Sequence, residues 1–204
     1  MMGVHKPGGS GRPDVAILEG STADLEAYER VPIAYLVTSR LRVEPIDGGL
    51  GGLALIEERV EEPYVRDFDA QEKPTDWPQR WDISHWGVLG AFRGGTRVGG
   101  AVTSWRTQEV RMLEGRSDLA VLWDIRVAPA LRGQGIGSKL FSRTMDWARK
   151  RGCSVLKVEA QTINVGACRF YASQGCTLRT IRAGAYPDAP DEVQLLWYRD
   201  LREG

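Results

Sequence analysis

Glycine recurs at positions 133, 135 and 137 in the string Val127-Ala128-Pro129-Ala130-Leu131-Arg132-Gly133-Gln134-Gly135-Ile136-Gly137-Ser138. The string joins a strand-like stretch to a helix-like one. Glycine has no Cβ, so the backbone amides of such a loop can approach a ligand closely. The first turn of a helix adds N–H groups without intrahelical partners and the positive end of its dipole. The result is an anion cradle suited to a pyrophosphate, which Arg132 could supplement with a fixed charge. No Lys-Ser/Thr pair closes the loop as in a P-loop, and its spacing is not the Gly-x-Gly-x-x-Gly of dinucleotide folds. A Gly-rich connector without a ligand has the same composition, so the loop alone does not decide.

Groups able to move protons lie on either side of this loop. Asp124 is on the strand-like run before it, and Glu159 is on a later one. Tyr171 lies seven residues past Asn164, two turns down one helical face. Of the two histidines, His5 falls in the amino-terminal tail and His85 in a loop, where it reads as structural. Trp77, Trp81, Trp86, Trp105 and Trp123 read mainly as core, with one or two expected at a substrate mouth. Charge is uneven along the chain. Residues 57–76 hold eight acids against three bases, and residues 132–151 hold six bases against one acid. Such segments could attract a cationic substrate and a polyanionic cofactor, or could be two solvated faces.

The elements that would position these groups follow from periodicity. Residues 21–30 read as a short helix, capped by Ser21 or Thr22 and interrupted by Pro32. Residues 41–46 and 52–60 read as strands around Asp47-Gly48-Gly49, and residues 61–79, with three prolines, as an exposed loop or partly helical excursion. Residues 86–92 and 97–105 flank Arg93-Gly94-Gly95-Thr96 as a hairpin. Residues 119–127 alternate so that Leu119, Val121, Trp123, Ile125 and Val127 share one face. A helix over residues 135–151 stops at Gly152; a strand over 155–160 and a helix over 164–174 follow, the latter capped by Asn164. Strands over 176–182 and 193–199 close an α/β domain with a mixed sheet.

The 204 residues are enough for one sizeable core, with residues 1–13 expected as a disordered, Gly-rich tail and residues 14–204 as a single domain. Lysine plus arginine and aspartate plus glutamate both total 27, which argues against a broad nucleic-acid surface. No apolar run approaches the roughly 18 residues of a membrane span, and the amino terminus does not read as a secretory signal. Cys153, Cys168 and Cys176 cannot all pair and lack metal-ligand spacing, so no metal and a reduced, cytoplasmic setting are expected.

The string Arg132-Gly133-Gln134-Gly135-Ile136-Gly137, preceded by Val127-x-Pro129, resembles the acetyl-coenzyme A signature of the GNAT superfamily of N-acyltransferases. Glu159, Asn164, Ala167, Tyr171 and Gly175 resemble its second signature, and together the two cover residues 119–176. Within the superfamily the pattern is similar to that of streptothricin acetyltransferases. The matching stretches are Glu159-Ala160-Gln161-Thr162-Ile163-Asn164, Ala167-Cys168-Arg169-Phe170-Tyr171, Glu62-Pro63-Tyr64, and the tail from Tyr186 to Trp197-Tyr198. The chain departs at Cys176, where the family usually has Phe, and in its amino-terminal extension. The resemblance implies an α/β (α+β) fold: a mixed, mostly antiparallel sheet of about six to seven strands flanked by helices, with a splayed central pair.

It also implies roles. The backbone of Ile125, Arg126 and Val127 would pair with the pantetheine arm of acetyl-coenzyme A. The amides of Gln134, Gly135, Ile136, Gly137 and Ser138, with Arg132 and Gly133 beside them, would hold the pyrophosphate. Asn164 would bind the arm of the cofactor as well as cap its helix. Tyr171 would protonate the departing sulfur, and Glu159 would act as general base through water, with Asp124 as the rival. Acyl transfer to nitrogen needs a neutral amine, oxyanion stabilisation and a proton for the thiolate.

The activity implied is acetylation of a primary amine on a small cationic molecule, a streptothricin-like antibiotic or a polyamine. A protein N-terminal or lysine acetyltransferase would use the same cofactor half. A non-catalytic acyl-coenzyme A-binding module would not need Tyr171 and Glu159. No nucleic-acid or membrane partner is expected, and homodimers are common in the family.

Overall fold

The computed structural model describes residues 14–202, so the tail expected over residues 1–13 lies outside the described part. In chain order the elements are β1 (Ala16–Gly20), α1 (Leu25–Glu29), β2 (Tyr35–Pro45), β3 (Leu53–Arg66), α2 (Trp77–Arg80), β4 (Gly87–Arg93) and β5 (Thr96–Ser104). They continue with β6 (Leu119–Val127), α3 (Ile136–Lys150), β7 (Val155–Gln161), α4 (Val165–Ser173), β8 (Thr177–Arg182) and β9 (Gln194–Asp200). Seven strands form one open sheet in the order β1-β4-β5-β6-β7-β9-β8, and β2 and β3 form a separate two-stranded ribbon. The β6–β7 pair is parallel and every other neighbouring pair is antiparallel. No described helix is long and apolar enough to cross a membrane.

Local chemistry explains most of the boundaries. Ser21 starts the first helical segment through a capping box: its hydroxyl accepts from Ala23 N at 3.3 Å, and Asp24 accepts from Ser21 N at 2.8 Å. The amphipathic α3 buries Ile136, Leu140, Phe141, Thr144, Trp147 and Ala148 against one face of the sheet, with α4 beside it. On the other face Leu25 and Tyr28 of α1 and Trp77 of α2 pack with Trp86 and Val121.

The expectation that Leu119, Val121, Trp123, Ile125 and Val127 share a face is overturned. The register of β5 against β6 shifts so that Val102 lies opposite Asp124 and Thr103 opposite Leu122, leaving Trp123 as an extra residue. One extra residue inverts the alternation. Val121 and Trp123 therefore pack on the α1 face, whereas Ile125 and Val127 join Ala120 and Leu122 on the α3 face.

Two further expectations change. Residues 61–66 continue β3 and do not form a loop, paired as Tyr35↔Arg66, Leu36↔Val65 and Val37↔Tyr64. This half of the ribbon keeps much of both faces in water, so residues 61–66 have no apolar alternation to read. The short edge strand β1 also lacks a buried face, and it forms by pairing with β4. The ribbon docks through a hydrogen bond from Leu41 N to Thr162 O (2.9 Å) and an ion pair between Arg169 and Glu57.

Gly100 on β5 shows how closely α1 approaches the sheet. A Cβ there would lie 2.5 Å from the Tyr28 ring and 2.6 Å from Leu89 O. Gly100→Val should destabilise the fold by about 1–3 kcal/mol through overpacking. Urea denaturation would show a lower midpoint at constant slope; an unchanged midpoint would mean that this contact is not tight.

Candidate active site

Pairing between β6 and β7 covers only residues 119–122 and 155–158. Both strands continue, β6 to Val127 and β7 to Gln161, without pairing to each other. The extra residue at Trp123 falls where pairing stops. A cleft of about 1160 Å³ fills the opening, lined by residues 121–127 of β6, residues 158–161 of β7, the glycine loop and the first turns of α4. Trp77 and Trp123 line it; Trp81 and Trp86 stack behind, with ring centroids 6.0 Å apart.

Ala128 N donates to Val98 O at 2.9 Å, which fixes the alternation of main-chain groups along β6. Arg126 turns its backbone toward β5, and Ile125 and Val127 turn theirs toward the cleft. Unpaired strand edges of this kind accept an extended ligand. At the end of the cleft α3 begins after Gly135, whose φ of +80° favours a residue without a Cβ. Among the described residues, no group accepts from the N–H of Gly133, Gly135, Ile136, Gly137 or Ser138. These donors are what an anion would find there.

Side chains around the loop are committed elsewhere. Arg132, expected to add charge to the cradle, donates to Val127 O (3.1 Å), Ala34 O (2.9 Å), and Pro32 O and Ile33 O (both 3.3 Å). It straps the α1–β2 connection to the end of β6. Gln134 donates to Ala130 O at 3.3 Å and accepts from Arg93, and Ser138 Oγ accepts from Gln174 Nε2 at 3.1 Å.

The two candidate bases have different partners. Asp124 forms a two-pronged ion pair with Arg126, through Nε (3.0 Å) and Nη2 (2.6 Å), and also accepts from the Tyr28 hydroxyl. Burial first, and the Asp124 charge second, push the Tyr28 pKa well above its usual value, so it remains a donor. Arg126 is itself 1% exposed and also grips Asp69 (2.8 and 3.0 Å) and Val31 O (3.1 Å). Breaking such a buried pair costs about 3–5 kcal/mol, which disfavours Asp124 as a proton acceptor. Glu159 accepts from neutral groups: the Tyr186 hydroxyl at 2.5 Å, Gln194 Nε2 at 2.7 Å and Gln161 Nε2 at 3.4 Å. Among the described residues no cation lies within ion-pair distance of it.

Tyr171 lines the cleft and is 5% exposed, and no described group hydrogen-bonds its hydroxyl. Burial, and then the charge of Asp124, raise its pKa, so it keeps its proton. Asn164 accepts from Ala167 N at 3.0 Å as the cap of α4 and also lines the cleft. His85 lies away from the cleft, its ring 6.1 Å from that of Trp105. All three cysteines are buried and unpaired, and burial raises the thiol pKa values of Cys153 and Cys176 to about 11 and of Cys168 to about 12.

Much of the charge asymmetry is neutralised locally. Glu57 pairs with Arg169, Glu58 with Arg40 and Arg42, Asp69 with Arg126 and Glu72 with Arg80; Lys139 pairs with Asp14 and Arg151 with Glu19. Tyr28 had no signal in the sequence, Asp69 was one acid among those of residues 57–76, and Tyr186 and Gln194 lay in the matching tail without a role, because each reaches the site from a distant segment.

Residues 53–176, more than half of the chain, match the Acetyltransferase (GNAT) family. Streptothricin acetyltransferase A of Bacillus subtilis (strain 168) is 32% identical over 81 residues, covering 39% of this chain and 47% of that protein. The match thus spans about half the length of this relative. Streptothricin acetyltransferase of Streptomyces lavendulae is 26% identical over 180 residues, covering 87% of this chain and 89% of that protein. The crystal structure of nourseothricin acetyltransferase shares the fold, with a TM-score of 0.71 at 24% identity over 92% of this chain and 98% of that one.

If the free amides at the start of α3 hold a pyrophosphate, Gly135→Val should weaken acetyl-coenzyme A binding at least tenfold, about 1.4 kcal/mol. Calorimetry on the folded variant tests this, and unchanged affinity would remove the loop from the binding site.

Proposed function

The chain belongs to the Acetyltransferase (GNAT) family, and from that premise we propose that it moves the acetyl group of acetyl-coenzyme A to a primary amine of a small cationic molecule. The observation that carries this reading is the opening between β6 and β7, with free amides at one end and Tyr171 and Glu159 in its lining. Unpartnered donors on a helix start suit a diphosphate, and the main-chain groups of Ile125 with the N–H of Val127, whose carbonyl is taken by Arg132, suit an amide-bearing arm; Asn164 adds a polar contact. When bound, the cofactor supplies an acetyl thioester open to attack by a neutral amine.

The chain's own groups then have separable tasks. Glu159 takes a proton from the ammonium, directly or through water, and generates the nucleophile. Asp124 stays paired with Arg126 and helps shape the acceptor wall. Tyr171 holds a proton at Oη for the sulfur side of the cleft. The cleft lining favours a cation: Asp69 and Asp124 share the single guanidinium of Arg126, and Glu159 has only neutral partners. The relatives named for streptothricin make an antibiotic of that type the first acceptor to try, with a polyamine second. A reducing, cytoplasmic setting belongs to this reading, supported by the three unpaired thiols.

Tyr171→Phe should lower kcat by about a hundredfold while leaving acetyl-coenzyme A affinity unchanged. The sign of the pH dependence follows from the groups present. An alkyl amine has a pKa near roughly 10.4, so activity should rise with pH as the neutral amine accumulates. The raised pKa of Tyr171 keeps the acid protonated throughout, so no alkaline decline should appear below about pH 10. Full activity in Tyr171→Phe would assign the proton to water or another group.

The acceptor class is tested by release of free coenzyme A thiol with cationic, neutral and anionic amines and a peptide, at low and high salt. Cationic small amines should be preferred, and salt should raise their KM by screening. Preference for neutral or anionic amines without a salt effect would overturn the cationic acceptor. Preference for the peptide would move the reading to protein acetylation.

A further inference from the structure

Glu159 lines the cleft, but its two close donors do not. Tyr186 lies in residues 183–193, the connection from β8 to β9, and Gln194 is the first residue of β9. The Tyr186 hydroxyl donates to Oε1 at 2.5 Å and the Gln194 amide to Oε2 at 2.7 Å, one firm donor on each oxygen. The more distant Gln161 amide, 3.4 Å from Oε1, adds little.

Both donors are anchored. Gln194 pairs across the sheet with Gln161 on one side and Arg182 on the other. Tyr186 starts two successive turns, with Ala189 N on Tyr186 O at 3.1 Å and Glu192 N on Ala189 O at 2.9 Å. The segment then ends in Glu192, paired with Arg66 at 3.5 Å, and Val193 N on Thr162 Oγ1 at 3.0 Å.

We propose that Tyr186 and Gln194 are positioning residues that fix the Glu159 carboxylate in the orientation in which it accepts the proton of the acceptor amine. The proposal rests on the reading of Glu159 as the base. Two neutral donors orient a carboxylate and leave lone pairs on its oxygens for a further proton. A guanidinium in their place would engage it as Arg126 engages Asp124, and would make protonation costly. Burial, with the Glu159 charge second, raises the Tyr186 pKa, so this phenol remains a donor through the working range. The ionisable groups that share the surroundings of Glu159 include Glu192 with Arg66 beside Tyr186, and Tyr35, Arg169, Tyr171 and the Asp124–Arg126 pair in the lining of the same cleft.

The test measures kcat against pH at saturating acetyl-coenzyme A and amine for the full chain, Glu159→Gln, Tyr186→Phe and Gln194→Leu, with thermal melts as a check on folding. Glu159→Gln should remove most of the activity and the acid limb that Glu159 sets, leaving only the rise at higher pH due to the amine itself. Tyr186→Phe should lower kcat by about tenfold, with the KM for acetyl-coenzyme A unchanged. Its acid limb should move up by about half a pH unit or more, because a donor to the charged form has been lost. Gln194→Leu should shift the limb in the same direction, and it carries the test if Tyr186→Phe fails to fold. A merely structural role would leave the limb in place. An unmoved limb in the folded variants, with Glu159→Gln inactive, would overturn this proposal alone. Full activity in Glu159→Gln would overturn the base assignment and the positioning role with it.

Discussion

A strand that loses its neighbour exposes main-chain donors and acceptors, and in this protein the loss begins at Trp123 of β6. Before that residue β6 is an ordinary central strand, paired on both sides. One unmatched residue then bends the strand, ends its pairing with β7 and exchanges the faces to which its side chains point. Asp124 and Arg126 are thereby delivered to the α1 face and Ile125 and Val127 to the α3 face. The cleft, the free edge of β6 and the placement of Asp124 follow from that single insertion. A sheet opened in this way would lose stability without compensation, and the Trp77, Trp81, Trp86 and Trp123 rings fill the space beside the bend.

Two arginines then join parts that the sheet does not connect. Arg126 and Arg132 between them take the carbonyls of Val31, Pro32, Ile33 and Ala34, a run of chain between α1 and β2 that belongs to neither. Arg126 also holds Asp69, beyond the end of β3. The α1–β2 connection and the end of β3 are therefore fastened to β6 and the glycine loop. Planar guanidinium groups with several fixed donors suit this task better than an ammonium would. For Arg132 the fastening replaces the role its sequence position suggests.

The carboxylates of the cleft are chemically alike in sequence and unlike in place. Asp124 is committed to a cation and to a buried phenol. Glu159 is held by a phenol and an amide, with no cation among the described residues within ion-pair distance. Charge along the chain gave no means of separating them. Four of the eight acids of residues 57–76 are paired with arginines from β2, α2, β6 and α4, so the count along the chain overstated the field left to act on a ligand.

How much of this was legible depended on the range of the determining interaction. The hairpin around Gly94-Gly95, the helices α3 and α4 with their caps, and the glycine loop between β6 and α3 are set by turn chemistry, periodicity and helix-end hydrogen bonding within a few residues, and the chain displays them directly. The family signature is a local string for the same reason. The edge strand β1 and the far half of the β2–β3 ribbon were not legible, because partners and not their own patterns make them strands. The bulge at Trp123 was hidden, since an alternating run looks the same whether or not β5 stays in register with it. Tyr28 reaches Asp124 across 96 positions and Tyr186 reaches Glu159 across 27, separations at which sequence carries no pairing information. By itself the sequence determined the fold class and offered the glycine loop and Tyr171 as candidates; tertiary structure alone decided which carboxylate is tied to a cation and which is left with neutral partners, because that depends on groups brought together only when the sheet closes.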